Sequence, residues 1–141
     1  MNYLLDTCVL SEARKRTANR EVLEWLSQVS ESRLYLSVIA LGEIQKGIAA
    51  LGDEERKQKL QTWLETDLRA RFAGRVLNVD TEVALEWGML LGQAQQRGTP
   101  APVVDTLIAA TAVCHNLTLV TRNVQDFAQF PIRLYDPWNG N

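Results

Sequence analysis

Short apolar runs with strand character alternate along this chain with longer stretches in which hydrophobic residues recur every three or four positions. Tyr3-Leu4-Leu5, Leu34-Tyr35-Leu36, Val76-Leu77-Asn78-Val79, Leu117 to Val120 and Arg133-Leu134-Tyr135 predict five strands. Between them, Val22, Leu23, Trp25, Leu26 and Val29 repeat at helical spacing. Leu41, Ile44, Ile48 and Leu51 do so again, and Val83, Trp87, Leu90, Leu91 and Ala94 form a third stripe. The charged stretch from Asp53 to Arg71 reads as helix, with Leu60, Trp63, Leu64 and Leu68 as its buried side. Alternation of this kind predicts an α/β domain built on a mainly parallel sheet.

The clearest break in the pattern is Gly98-Thr99-Pro100-Ala101-Pro102, a loop feeding the next helix, whose first turn tolerates proline. Asn116 suits the left-handed stop of that helix. No repeat, low-complexity tract or linker divides the 141 residues, so positions 1–141 read as one domain, large enough to bury a sizeable core. The longest apolar runs, such as Leu107 to Cys114, fall short of a membrane span. The start of the chain has neither the basic head nor the long apolar stretch of a leader. Cys8 and Cys114 match no metal-ligand spacing and are too few for a disulfide framework, which makes a reducing cytoplasm the simplest compartment. A net charge of −2 excludes a strong overall field for nucleic acid. The bases are uneven, however. Arg14, Lys15, Arg16 and Arg20 cluster, as do Arg69, Arg71 and Arg75, each group being either a solvated face or a phosphate-steering patch.

Several carboxylates stand out of place. Asp6 closes an apolar strand, and Thr7 reads as the cap of the next helix. Ligands of parallel sheets bind beyond the carboxyl ends of the strands, so Asp6 is either a functional acid on that edge or a turn residue. The helix from Val103 to His115 is apolar on nearly every side. Asp105 shares a face there with Ile108, Ala109 and Ala112, where an ionised carboxylate needs a cation or hydrogen bonds to offset its burial. Glu43 sits between the small residues Ala40 and Gly47, off the apolar stripe of its helix. Asn123 and Asp126 have the spacing of a capping box, while Thr121 and Asn123 also offer oxygens to a metal or its waters. His115, the single histidine, ends a helix, where capping explains it. Trp25, Trp63 and Trp87 lie on helical stripes and read as core.

Taken in order, Leu4-Leu5-Asp6-Thr7, Ser37 to Glu43 with Gly47, Asp105 to Ala112, Thr121-Arg122-Asn123-Val124-Gln125-Asp126-Phe127 and the ending Asp136-Pro137-Trp138 resemble the PIN-domain family. Within it the chain is similar to the VapC and FitB toxins of type II toxin–antitoxin modules. The resemblance implies a three-layer α/β/α fold and a magnesium- or manganese-dependent endoribonuclease that hydrolyses RNA through a metal-activated water. It also implies a homodimer, a small protein antitoxin, and contact with promoter DNA only through the antitoxin complex. Asp6, Glu43 and Asp105 match the family's metal-site acids. The fourth acidic position falls on the neutral Asn123, with Asp126 as a replacement. Arg14, Lys15 and Arg16 are the candidate RNA contacts.

Two rivals remain open at this level. One is a binding module that keeps the fold without turnover, which the neutral Asn123 favours. The other is a magnesium-dependent phosphatase with Asp6 as nucleophile. Such phosphatases carry a second aspartate two positions later, where this chain has Cys8.

Overall fold

The computed structural model describes residues 1–141. Five strands form one all-parallel sheet: β1 (Tyr3–Leu5), β2 (Leu34–Ser37), β3 (Val76–Leu77), β4 (Thr118–Val120) and β5 (Leu134–Tyr135), in the order β3-β2-β1-β4-β5. β1 is central, with Leu4 facing Tyr35 of β2 on one side and Leu119 of β4 on the other. Strand β3 is half the expected length. Asn78 and Val79 leave the sheet, and Asp80 then caps the following helix.

Helices cover both faces. They are α1 (Thr7–Arg14), α2 (Arg20–Gln28), α3 (Val38–Ala49), α4 (Glu54–Thr62), α5 (Arg69–Arg71), α6 (Thr81–Gln96), α7 (Val103–His115) and α8 (Val124–Phe127). The alternation of side chains along a strand sorts the core into two halves. Leu4 and Leu119 point into a cluster with Val83, Leu90, Ile108 and Phe127 from α6, α7 and α8. Leu5 and Val120 point the other way, among Val9, Val22, Ile48 and Leu64. Each of these fully buried leucines contributes roughly 1.5–3 kcal/mol by leaving water. No helix is long and apolar enough to cross a membrane. Leu85 and Met89, one turn apart on α6, are exposed.

Two local expectations need correction. The stretch expected as one helix from Asp53 to Arg71 is interrupted by π-helical winding over Trp63–Leu68, within which Leu64 and Leu68 are buried as expected. The helix expected to be buried throughout, α7, is buried only from Thr106 to Ala112. Val103 and Val104 open it to solvent, and Pro102 stands just before its first turn. Asn116 does take the left-handed stop, at φ 52° and ψ 50°.

The edge strand β3 is secured by a clamp that hydrophobic patterning does not reveal. Arg75 donates through Nη1 to the carbonyls of Glu31 (2.6 Å) and Leu34 (2.5 Å) and through Nη2 to the carbonyl of Arg71. Its guanidinium lies 5.0 Å from the ring centre of the fully buried Phe72. Arg71 pairs through both nitrogens with Glu31, at 2.5 and 3.2 Å. Arg75→Ala should therefore cost about 2–4 kcal/mol, from the lost charge-assisted bonds and the carbonyls left behind. Arg75→Lys should recover less than half, because an ammonium cannot fork to three acceptors. Urea unfolding measures both. A loss under about 0.5 kcal/mol would make the clamp an ordinary surface arrangement.

Candidate active site

The carboxyl edge of the sheet gathers the acids, and each reaches it on a different element. Asp6 directly follows β1, where its amide still donates to the Val120 carbonyl at 3.0 Å. It then caps α1 in extended conformation, Oδ1 accepting the Thr7 amide at 2.9 Å. Asp6 is thus the cap, and Thr7, expected in that role, is the first helical residue. An aspartate serves better because its second oxygen stays available. That Oδ2 accepts the hydroxyl of Thr121 at 2.8 Å and is approached by the Cys8 thiol at 3.6 Å. Burial raises the thiol's pKa, and the charge of Asp6 adds to it, so Cys8 stays protonated.

Thr121 follows β4 and is fully buried, and the Cys8 thiol approaches its hydroxyl at 3.7 Å. That hydroxyl donates to Asp6 and accepts the Asn123 amide at 3.0 Å. This bond shapes the turn into α8, and the Asn123 side chain makes no capping bond. The capping box expected from Asn123 and Asp126 does not form, because the buried hydroxyl outcompetes it.

Glu43 lies midway along α3, which starts directly after β2 with Ser37 as its cap. It is exposed, and its Oε1 accepts the Thr7 hydroxyl at 2.9 Å. Thr7 thereby joins two acids, its amide on Asp6 and its hydroxyl on Glu43. Asp105 is the third residue of α7 and is half-buried. Burial pushes its carboxyl above the ordinary aspartate range, and the negative charges of Asp126, Asp6 and Glu43 push it further. The structure therefore brings Asp6, Glu43, Asp105 and Asp126 into one electrostatic neighbourhood. Asp126, and not the neutral Asn123, supplies the fourth charge. No three of these groups close into a ready-made metal cage.

A groove of about 650 Å³ opens between α1, α3 and α4, and of the four acids Glu43 alone lines it, together with Thr7. Arg14, Lys15 and Arg16 line it, joined by Arg56 and Lys59 of α4. These last two were not singled out in the sequence; only the packing of α4 reveals them. The three expected bases are not equivalent. Arg14 lies 4.6 Å from the ring centre of Trp63, whereas Lys15 is held by Glu12 at 3.1 Å. Arg16 is exposed and forms no ion pair.

Fold and site together define an α/β/α protein with hydroxyl-braced acids on the carboxyl edge of a parallel sheet. The chain belongs to the PIN domain family, whose model matches residues 3–132. It is similar to Toxin FitB of Neisseria gonorrhoeae, with 35% identity over 96% of this chain and 98% of that protein. It is equally similar to the VapC ribonuclease Y4jK of Sinorhizobium fredii, 35% identical over 96% of each. The crystal structure of FitAcB from Neisseria gonorrhoeae superposes with a TM-score of 0.91 at 34% identity, covering 96% of this chain and 98% of that one. The DNA-bound VapBC structure from Salmonella typhimurium gives 0.79 at 27% identity, covering 97% and 98%.

A raised carboxyl pKa has a definite thermodynamic sign. Folding makes Asp105 hold its proton more tightly, so its ionisation costs stability. The cost begins as pH rises past the unfolded value of about 3.9 and is complete above the raised folded value. In chelator-treated protein, Asp105→Asn should unfold at a higher temperature than wild type at neutral pH. The two proteins should converge below that window. Melting curves across pH test this, and a lower midpoint for the asparagine variant would make the Asp105 carboxylate a structural group.

Proposed function

We propose that this chain is a divalent-metal-dependent endoribonuclease that acts as the toxin of a type II toxin–antitoxin pair. Asp6, Glu43 and Asp105 are its catalytic acids, and Asp126 is the fourth. The observation that carries this reading is the bracing of Asp6 and Glu43 by Thr121 and Thr7 at the sheet edge that Asp105 and Asp126 also face, where their charges raise the Asp105 carboxyl. Mutually repelling carboxylates persist at a sheet edge at a cost to stability, and perturbed groups of this kind mark functional sites.

The donor set is all oxygen, which suits a hard cation and not a thiophilic one. Asp6, Glu43, Asp105 and Asp126, with the Asn123 carbonyl as a neutral addition, would hold magnesium or manganese, which neutralises phosphodiester charge and acidifies a water when bound. The chain's own residues orient the rest. The Thr121 hydroxyl and the Thr7 amide fix both oxygens of Asp6, and the Thr7 hydroxyl aims Glu43 at the same edge. RNA enters along the basic groove, with Arg14 and Arg16 meeting phosphate and Lys15 contributing less because Glu12 already neutralises it.

The ribonuclease name of the Sinorhizobium relative and the toxin name of the Neisseria one support this reading. A small protein antitoxin is the partner. DNA contact belongs to the pair, since a chain of net charge −2 lacks the field for it alone. Action on cellular RNA places the protein in the cytoplasm. The rival readings are weaker. Asp126 restores the charge a silent module would lack, and position 8 presents a protonated thiol to Asp6 where a phosphatase needs an acid.

Purified protein should cleave RNA with magnesium or manganese and not with a chelator. Asp6→Asn should lose at least about a hundred-fold in rate while remaining folded, with a somewhat lower melting temperature because its single amide oxygen keeps only one of the two bonds Asp6 accepts. Expression of the wild-type chain alone should arrest growth, and that of Asp6→Asn should not. Undiminished cleavage by Asp6→Asn, or cleavage in chelator, would refute the reading. For the groove, the double variant Arg14→Ala/Arg16→Ala should lower the slope of log affinity against log salt by about 1.4, near 0.7 per phosphate contact on a single strand. An unchanged slope would return both arginines to solvated surface.

A further inference from the structure

Arg122 stands where the acid site meets the C-terminal segment, and its charge is unpaired. Its neighbours tie its backbone to the site: Thr121 bonds Asp6, Asn123 bonds back to Thr121, and the Arg122 amide donates to Cys8 Sγ at 3.5 Å. The side chain is exposed and takes part in none of the ion pairs of the protein. Its guanidinium instead lies 5.2 Å from the ring centre of Trp138. That indole is itself anchored. The Trp138 amide donates to Oδ1 of the buried Asp136 at 2.8 Å.

We infer that Arg122 is a substrate-binding residue that receives a phosphate of the RNA backbone beside the acids, with Trp138 as the positioning residue beneath it. The inference rests on the ribonuclease reading. Four carboxylates repel phosphate, so a substrate needs fixed cations close to them. A guanidinium offers the planar fork that a phosphate accepts. An aromatic face holds that fork in place without cancelling its charge, which a carboxylate partner would do. Glu12 and Arg14 are two residues apart on α1 and so point to opposite sides of that helix. The Arg122 amide meets Cys8, which shares the Glu12 face of α1 one turn earlier, whereas Arg14 lies against Trp63 on the other face. Arg122 thus provides a phosphate contact on the flank of α1 that the groove does not serve.

Binding of a labelled single-stranded RNA is measured across salt concentrations in magnesium, with Asp6→Asn as a cleavage-deficient background. Adding Arg122→Ala should weaken binding about ten-fold and lower the salt slope by about 0.7, the share of one phosphate on a single strand. Arg122→Lys should keep the slope and lose part of the affinity, because its charge remains and its fork does not. In the otherwise wild-type enzyme, Arg122→Ala should raise KM more than it lowers kcat. Trp138→Phe should preserve binding, while Trp138→Leu should weaken it at an unchanged salt slope. An Arg122→Ala slope equal to that of its parent, or a fall in melting temperature with no change in binding, overturns the assignment and leaves Arg122 as a staple for the C-terminal segment. If protein with Arg122 intact neither cleaves nor binds RNA, the ribonuclease reading fails and this assignment falls with it.

Discussion

Asp6 ends the central strand with both carboxylate oxygens committed, one to the amide that opens α1 and one to the hydroxyl that follows β4. Strand pairing holds β1 and β4 side by side through Leu5 and Val120, and the Asp6–Thr121 bond continues the pairing one residue beyond the sheet. A charge-assisted bond in this half-buried place is worth more than a surface one, because water competes less for its partners. It fixes α1 relative to the turn into α8, and with them Glu43 through Thr7 and Asn123 through Thr121. The same carboxylate therefore caps a helix, splices two strands and heads the acid site. These roles are compatible because a cap uses one oxygen and leaves the other free to be aimed.

The parts of this arrangement differ in how openly the sequence displays them. β1 and β4 are legible because a buried parallel strand is apolar on both faces, and Leu4-Leu5 and Leu119-Val120 supply the two halves of the core in adjacent positions. β3 is less so. Val79 is apolar but stands in solvent, since the need to cap α6 at Asp80 ends the strand early. Asp105 is legible as an acid on an apolar helix face, whereas the exposed Glu43 is recognisable only through family resemblance. The π-helical turn at Trp63–Leu68 leaves no mark, because Leu64 and Leu68 keep the four-residue spacing of an ordinary helix.

Long-range hydrogen bonds account for most of what the sequence conceals. Arg75 binds carbonyls of Glu31 and Leu34 some forty positions away, and its partners are backbone atoms, which carry no residue identity to read. Thr121 and Asp6 are 115 positions apart and meet only because β4 crosses back beside β1. Asn123 and Asp126 show the converse error. Their spacing is right for a capping box, but a buried threonine hydroxyl two residues earlier reaches the Asn123 amide first. A local signature predicts local structure only when no buried partner from the core competes for the same donor.

The way the molecule holds its cations follows from the charge it concentrates at the sheet edge. Arginine beside a carboxylate is held firmly but loses its field, as Arg71 does on Glu31 at the opposite end of the fold. Where the charge must stay available, this chain uses indole instead: Trp63 under Arg14 and Trp138 under Arg122, on opposite flanks of α1. The quadrupole of the ring restrains the guanidinium and leaves its N–H groups free at the edges for a phosphate. Lys15 shows what the other choice does, since its bond to Glu12 steadies the turn after α1 and removes it from the substrate's reach. A protein of net charge −2 can thus present positive charge on both sides of an acidic centre. The local placement of unpaired arginines, and not the overall balance, sets the field that an approaching strand of RNA meets.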